Sequence, residues 1–360
     1  MQYPSETRPT WLPTVIALAA CGVAGFGTAE AQQRYELSGP VVAVYNLAGQ
    51  ITLEPGRGSA VVVEVTRGGR DASELQIETG PIGDAETFRV IYPADQVVYP
   101  ELGRGSRTDL RVRPDGTFGD SGDWRGRSGD RVRIAGRGSG LEAYADLSIA
   151  VPEGQEIRVY LAVGWMSARN VSGNLLMDTG SAPVTASGVR GSLDVDVGSG
   201  SVEVTDAEGD VRIDTGSGSV DATGVTGELL MVDTGSGSVT ASTVDVGQLD
   251  INTGSGRIRA DRVAARTVRL DTGSGSVNLQ LTSEADDIEI DTGSGSVTLS
   301  VPESFGAQVD IETGSGGIEL DMPITMRRWE RDHVRGTIGD GSARLLIDTG
   351  SGSIHIRSGR

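Results

Sequence analysis

The sequence predicts an all-β protein, a parallel single-stranded β-solenoid (β-helix-like) with about 18–21 residues per coil. Three observations lead there: 53 of 360 residues are glycine, aromatic residues make up only 4% of the chain, and one short phrase recurs at near-constant spacing through the C-terminal half. Glycine costs roughly 1 kcal/mol relative to alanine inside a helix, which argues against helical folds. The 37% apolar share, mostly Val, Ile, Leu and Ala, suits strands.

The phrase is Asp-Thr-Gly-Ser-Gly-Ser or a close variant, and it begins at Asp178, Asp196, Asp214, Asp233, Asn252, Asp271, Asp291, Glu312 and Asp348. Successive starts lie 18, 18, 19, 19, 19, 20, 21 and 36 residues apart, the last reading as two periods with one phrase lost or overwritten. Within a unit, Val211 and Ile213 alternate with Arg212 and Asp214, the period-2 pattern of a strand with one buried face. Gly216-Ser217-Gly218-Ser219 then interrupts, and the alternation resumes in shifted phase at Val220. Such a shift marks a corner, where glycine allows positive φ and lets neighbouring coils approach closely. Stacking equivalent residues at about 4.8 Å accounts for the repetition, and roughly ten coils would rise on the order of 45 to 50 Å.

Three segments are delimited. Residues 1–31 hold Arg8, an uncharged apolar stretch over 11–28 and Ala29-Glu30-Ala31, the pattern of a signal peptide cleaved after Ala31. Leu18-Ala19-Ala20-Cys21 resembles a bacterial lipobox, and the alternative is a lipid anchor at Cys21, the single cysteine. Residues 32–150 form N-terminal β coils, with strand patterns at 41–53 and 61–65. They are interrupted over about 93–140 by an Arg/Gly-rich insertion, read as a solvated surface loop. Residues 151–360 form the repeat domain.

All 31 basic residues are arginine and the net charge is −19, which excludes nucleic acid as a general partner. Between Val171 and Leu320 there are 24 acidic and 7 basic residues, a net of −17, so most of the negative charge belongs to the repeats.

The stretches Asn46-Leu-Ala-Gly-Gln-Ile-Thr-Leu53, Leu147-Ser-Ile-Ala-Val-Pro-Glu-Gly154 and Val171-Ser-Gly-Asn-Leu-Leu-Met177, followed by the repeated phrase, resemble the bacterial putative-adhesin family of β-solenoid proteins. The resemblance covers the chain from about residue 40 to its end. It implies a domain of unknown function class with no catalytic motif to carry over.

The Gly-x-Gly phrases precede strands, so they lack the helix N-terminus that cradles a phosphate. Asp-Thr-Gly also opens the active loop of aspartic proteases, but here it recurs at a solenoid period and stacks on one side. His355 alternates with Ile354 and Ile356 as an outward strand residue, and His333 reads as a solvated loop residue. A column of Asp214, Asp233, Asp271 and Asp291 is a candidate for Ca²⁺, set against each aspartate capping its own turn with salt screening the repulsion. Trp124, Trp165 and Trp329 are the candidate exposed aromatics, and Arg125, Arg127, Arg327, Arg328 and Trp329 the candidate interaction residues.

The expectation is an exported, non-enzymatic module without cofactor or membrane span in its mature chain, located in the periplasm, on the cell surface or secreted, and engaging an unidentified protein or glycan. A glycan-processing β-helix enzyme and a calcium-stabilised surface repeat protein are the alternatives.

Overall fold

The computed structural model describes residues 33–119 and 129–358, except for the side chain of Trp329. The signal-peptide pattern, Cys21, Trp124, Arg125 and Arg127 lie outside the described residues.

The repeats wind into a parallel β-solenoid. In the unit Val211–Thr215, Val211, Ile213 and Thr215 point inward and are buried, while Arg212 and Asp214 are exposed. This strand pairs in parallel with Leu193–Val197 on one side and with the second half of Val220–Thr234 on the other. Equivalent residues face each other throughout: Asp196 with Asp214, Asp214 with Asp233, Asp233 with Asn252, Asn252 with Asp271. The strand after each corner forms a second ladder, with Val202, Val220, Val239 and Ile258 in register. A short third side carries the left-handed bend at Asn170, Asp206, Thr243 and Arg262, with φ of 54–55°, in line with Gly188 and Gly224. Extra residues of the longer units enter on this third side, which keeps the other two ladders in register. The buried Val, Ile and Leu columns hold the coils together, each fully buried side chain contributing about 1.5–3 kcal/mol.

The corner is where the repeated phrase acts. Thr215, Thr234, Thr253, Thr272 and Thr292 point inward and are buried. Thr253 Oγ1 accepts the Gly256 N–H at 3.0 Å and donates to the carbonyl of Gly237, in the preceding coil, at 2.9 Å. The same pair of bonds recurs at Thr234, Thr272 and Thr292. A Cβ on Gly256 would overlap the Gly237 carbonyl oxygen. Gly256 is not among the residues of positive φ, so close approach between coils requires glycine here and the expected left-handed conformation does not.

Chain order and layer order differ at both ends. The coil 343–358 lies between 287–301 and 307–321, with Asp291 facing Asp348 and Asp348 facing Glu312. The 36-residue spacing therefore contains no lost coil. Ile324–Trp329 and His333–Ile338 form an antiparallel hairpin laid on Ala307–Thr313, which closes one ladder at this end. At the other end, Val41–Pro55 is sandwiched between Gln155–Arg169 and a layer built from two distant strands, Ala85–Ile91 and Tyr144–Val151. Antiparallel strands cover that layer in turn. Following outward neighbours through Arg89, Tyr45, Tyr160, Asp178, Asp196, Asp214, Asp233, Asn252, Asp271, Asp291, Asp348 and Glu312 gives twelve layers. That is a rise of about 50 Å.

The described part of the Arg/Gly-rich insertion is folded, contrary to its reading as a solvated loop. Gln96–Val98, Arg107–Val112 and Asp130–Ala135 make a three-stranded sheet that buries Val97, Leu110, Val132 and Ile134. Alternation of these few apolar residues with arginine is enough to give the sheet one dry face.

Replacing Thr253 by Val leaves the Gly256 N–H and the Gly237 carbonyl without their partner and is expected to destabilise the fold by about 1–3 kcal/mol. Gly256→Ala forces the coils apart and is expected to exceed that loss in the same denaturant titration.

Candidate functional site

Strict register turns the outward aspartates into a column. Asp214, Asp233, Asp271 and Asp291 do share one line, with Asn252 between Asp233 and Asp271, and Asp178, Asp196, Asp348 and Glu312 extend it. Successive carboxylates sit on strands about 4.8 Å apart. Partial burial raises the pKa of Asp196 and Asp214 above the ordinary value, and the next carboxylate in the column raises each further. Asp291 is raised in the same way by burial and by Asp271, Asp348 and Glu289. The turn is capped by threonine, not by these aspartates. No group of three or more His, Cys, Asp or Glu arranged to hold a metal ion occurs among the described residues.

Each end of the column is closed by other chemistry. At the N-terminal end, Tyr45 and Tyr160 stack at 4.5 Å with ring planes 2° apart, and Phe118 meets Tyr45 edge-on at 5.9 Å. Gly119 lies against Tyr160 and Asp178, so the insertion covers the first aspartate, which is only 3% exposed. Arg89, next in the column, is buried and reaches Glu78 at 3.1 Å and the Asp115 carbonyl at 2.7 Å. At the C-terminal end Glu312 faces His333. His333 is a strand residue and not a solvated loop: its side chain is 12% exposed and its Nε2 lies 2.8 Å from Asp310 Oδ1. Arg335 also binds Asp310, at 2.8 Å. Its hydrogen bond, and then that of His333, hold the Asp310 carboxyl below the usual carboxylate range against the opposing effect of burial. His355 is the outward strand histidine that alternation predicts, 2.8 Å from Asp321.

Beside the column's C-terminal end is an open groove of about 520 Å³, lined by Arg327, Arg328, Arg335 and Arg344 around Asp310. Sequence reasoning found Arg327 and Arg328 because Met326-Arg-Arg-Trp-Glu-Arg-Asp-His333 departs from the pattern of the family that the chain resembles. It missed Arg335 and Arg344, which join them only through the hairpin and the interleaved last coil. Arg328, Arg335 and Arg344 pair with Glu330, Asp310 and Asp287, yet about half of each side chain is exposed. Arg327 has no ion-pair partner among the described residues. Trp329 belongs to the same strand as Arg327 and Arg328.

A second cluster was also illegible in sequence. Asp146 accepts the Gln50 N–H at 2.8 Å, and Glu101 accepts the Tyr99 hydroxyl at 2.9 Å and the Gln50 side-chain amide at 3.4 Å. Burial raises the Asp146 pKa, opposed by that hydrogen bond and assisted by Glu101. Trp165 lies beside Gln50 in the ladder. These residues come from four separate segments, so no local motif announces them.

Residues 118–357, from the covering strip at Phe118 through the last coil, match the family model described as Toastrack DUF4097. The chain belongs to the Toastrack DUF4097 family. Among solved structures, a "putative cell adhesion protein" from Clostridium sporogenes aligns over 91% of this chain and 100% of its own, at 9% identity and a TM-score of 0.21. No curated protein matches. The Toastrack DUF4097 match takes in the whole aspartate column, the hairpin and the arginine groove, whereas the coil at Val41–Pro55 precedes it.

Raised folded-state pKa values mean that Asp196, Asp214 and Asp291 favour the fold most when protonated. Their contribution is fully present below the unfolded aspartate value near 3.8 and is lost as pH rises through their folded values. The stability that these three aspartates contribute is therefore expected to decline as pH rises above about 4, as the difference between melting curves of the parent and an Asp-to-Asn variant in buffers of matched ionic strength would show. Asp214→Asn, which copies Asn252, should stabilise the protein by about 0.5 kcal/mol at pH 7 and by little at pH 4.

Proposed function

We propose that this chain is an exported, non-enzymatic interaction module of the bacterial cell envelope whose C-terminal cap engages an anionic partner. The observation that carries the proposal is the arginine groove. A chain of net charge −19 without lysine places Arg327, Arg328, Arg335 and Arg344 together at one end of its stack. Guanidinium groups present planar paired donors that match carboxylate and phosphate geometry, and their exposure leaves them open to a partner. The acidic repeats favour the same orientation, because the flank they form repels an anion along the stack up to this end.

Export rests on the N-terminal pattern of Arg8, an apolar stretch and Ala29-Glu30-Ala31, with anchoring at Cys21 as the alternative processing. No helix among the described residues is long and apolar enough to cross a membrane. The groove's chemistry supports a non-enzymatic reading: its one lining carboxylate, Asp310, is bound by Arg335 and His333, which leaves it poorly placed as a proton donor or nucleophile. A glycan-processing reading finds its best support in Asp146 and Glu101, two carboxyl groups bridged by Gln50 beside Trp165.

Cosedimentation of the full chain with isolated bacterial envelopes separates the two readings. Binding that weakens with added salt and falls in the variant R327E/R328E, with no release of reducing ends from the envelope polysaccharide, is the expected result. Sustained release of reducing ends that Asp146→Asn abolishes would establish the enzyme instead.

A further inference from the structure

The strand that carries Arg327 and Arg328 is hydrogen-bonded on one side only. Ile324–Trp329 pairs antiparallel with His333–Ile338, and among the described residues nothing pairs with its outer edge. An unpaired edge presents a row of main-chain donors and acceptors that another strand can satisfy. The outermost strands at the opposite end of the stack are guarded differently. Gln76–Ile82 contains Pro81 and commits Glu78 to Arg89, and Gln33–Leu37 pairs Arg34 with its own Glu36. The C-terminal edge instead carries two consecutive arginines at a bulge between Met326 and Arg328.

Charge on an edge selects as well as protects. Two copies of this edge would bring four arginines together, so like-with-like pairing is disfavoured, whereas an acidic strand meets complementary charge. Met326 is 52% exposed on the same strand, leaving an apolar contact to be covered. A strand with carboxylates at alternate positions and small apolar residues between them matches this combination, because successive side chains of a strand point to opposite faces.

We propose that the partner of the C-terminal cap is an extended acidic peptide segment of another protein. It adds as one further strand beside Ile324–Trp329 and directs its carboxylates into the groove toward Arg327, Arg328 and Arg335. This rests on the preceding reading that the groove takes an anion. Main-chain hydrogen bonds hold the segment, and the arginines select its charge. Six residues of edge span about 20 Å, room for an added segment of about six residues.

The test is a fluorescence-anisotropy titration of the full chain with three labelled probes: the heptapeptide Glu-Val-Glu-Val-Glu-Val-Glu, the same peptide with proline at each valine position, and a galacturonate oligomer of equal charge. Proline keeps the carboxylates and removes alternate main-chain donors. The valine peptide is expected to bind at low salt, with the proline peptide and the galacturonate oligomer at least about tenfold weaker. The variant R327E/R328E, with a melting temperature matching the parent, should lose binding of the valine peptide. Equal binding of the valine and proline peptides, or preference for the oligomer, would overturn strand addition while leaving an anion-binding groove in place. Failure of all three probes to bind would overturn both. The probe comparison on the unaltered chain decides the matter even if the variant does not fold.

Discussion

Everything in this molecule depends on coils being held about 4.8 Å apart in strict register, and the contact that enforces it is the corner. There a buried threonine hydroxyl bonds forward to a glycine N–H of its own turn and back to the glycine carbonyl of the preceding coil. The threonine satisfies two main-chain groups that the bend would otherwise bury unpaired, a loss of about 1–3 kcal/mol. The glycine leaves room for the approach. The phrase recurs for that reason, with Val197 standing in the threonine's place in one coil, while residues on the third side vary in number.

Register has an electrostatic consequence. A strand whose residues repeat in position places each outward residue next to its copies, and at the position before the threonine those copies are aspartates. Burial and mutual repulsion raise the pKa values of Asp196, Asp214 and Asp291, a cost of the stacking at those coils. The column is interrupted by Asn252 and closed by dissimilar groups. The N-terminal end disappears beneath Phe118 and Gly119, and the C-terminal end meets His333 beside Arg335. Basic side chains gather where the parallel stack gives way to an antiparallel hairpin, as they also do on the Arg/Gly-rich insertion, and both surfaces differ from the acidic repeats between them.

The regular interior was legible because period-2 alternation and a fixed spacing both report directly on burial and stacking. Val211, Ile213 and Asp214 stand where alternation places them. The ends were not legible, since layer order there departs from chain order. Nothing local to Asp348 indicates that it lies between Asp291 and Glu312, and nothing local to Arg344 indicates that it shares a groove with Arg327. The insertion misled for another reason: its dense arginine and glycine mask the few alternating apolar residues, Leu110, Val132 and Ile134, that make it a sheet. His333 was misread because the turn before it is polar, although the strand it begins is pinned to Asp310.

Layer order is what brings the acidic column, the hairpin and the arginine groove into one arrangement, and thiol cross-linking measures it directly. With a reagent that spans no more than one strand spacing, the pair Asp291→Cys and Asp348→Cys should cross-link efficiently in the folded chain, because their strands are adjacent. The pair Asp291→Cys and Glu312→Cys, separated by the interleaved strand at about 10 Å, should not. Cross-linking of the second pair in preference to the first would show that the coils stack in chain order and would contradict this account of the C-terminal end.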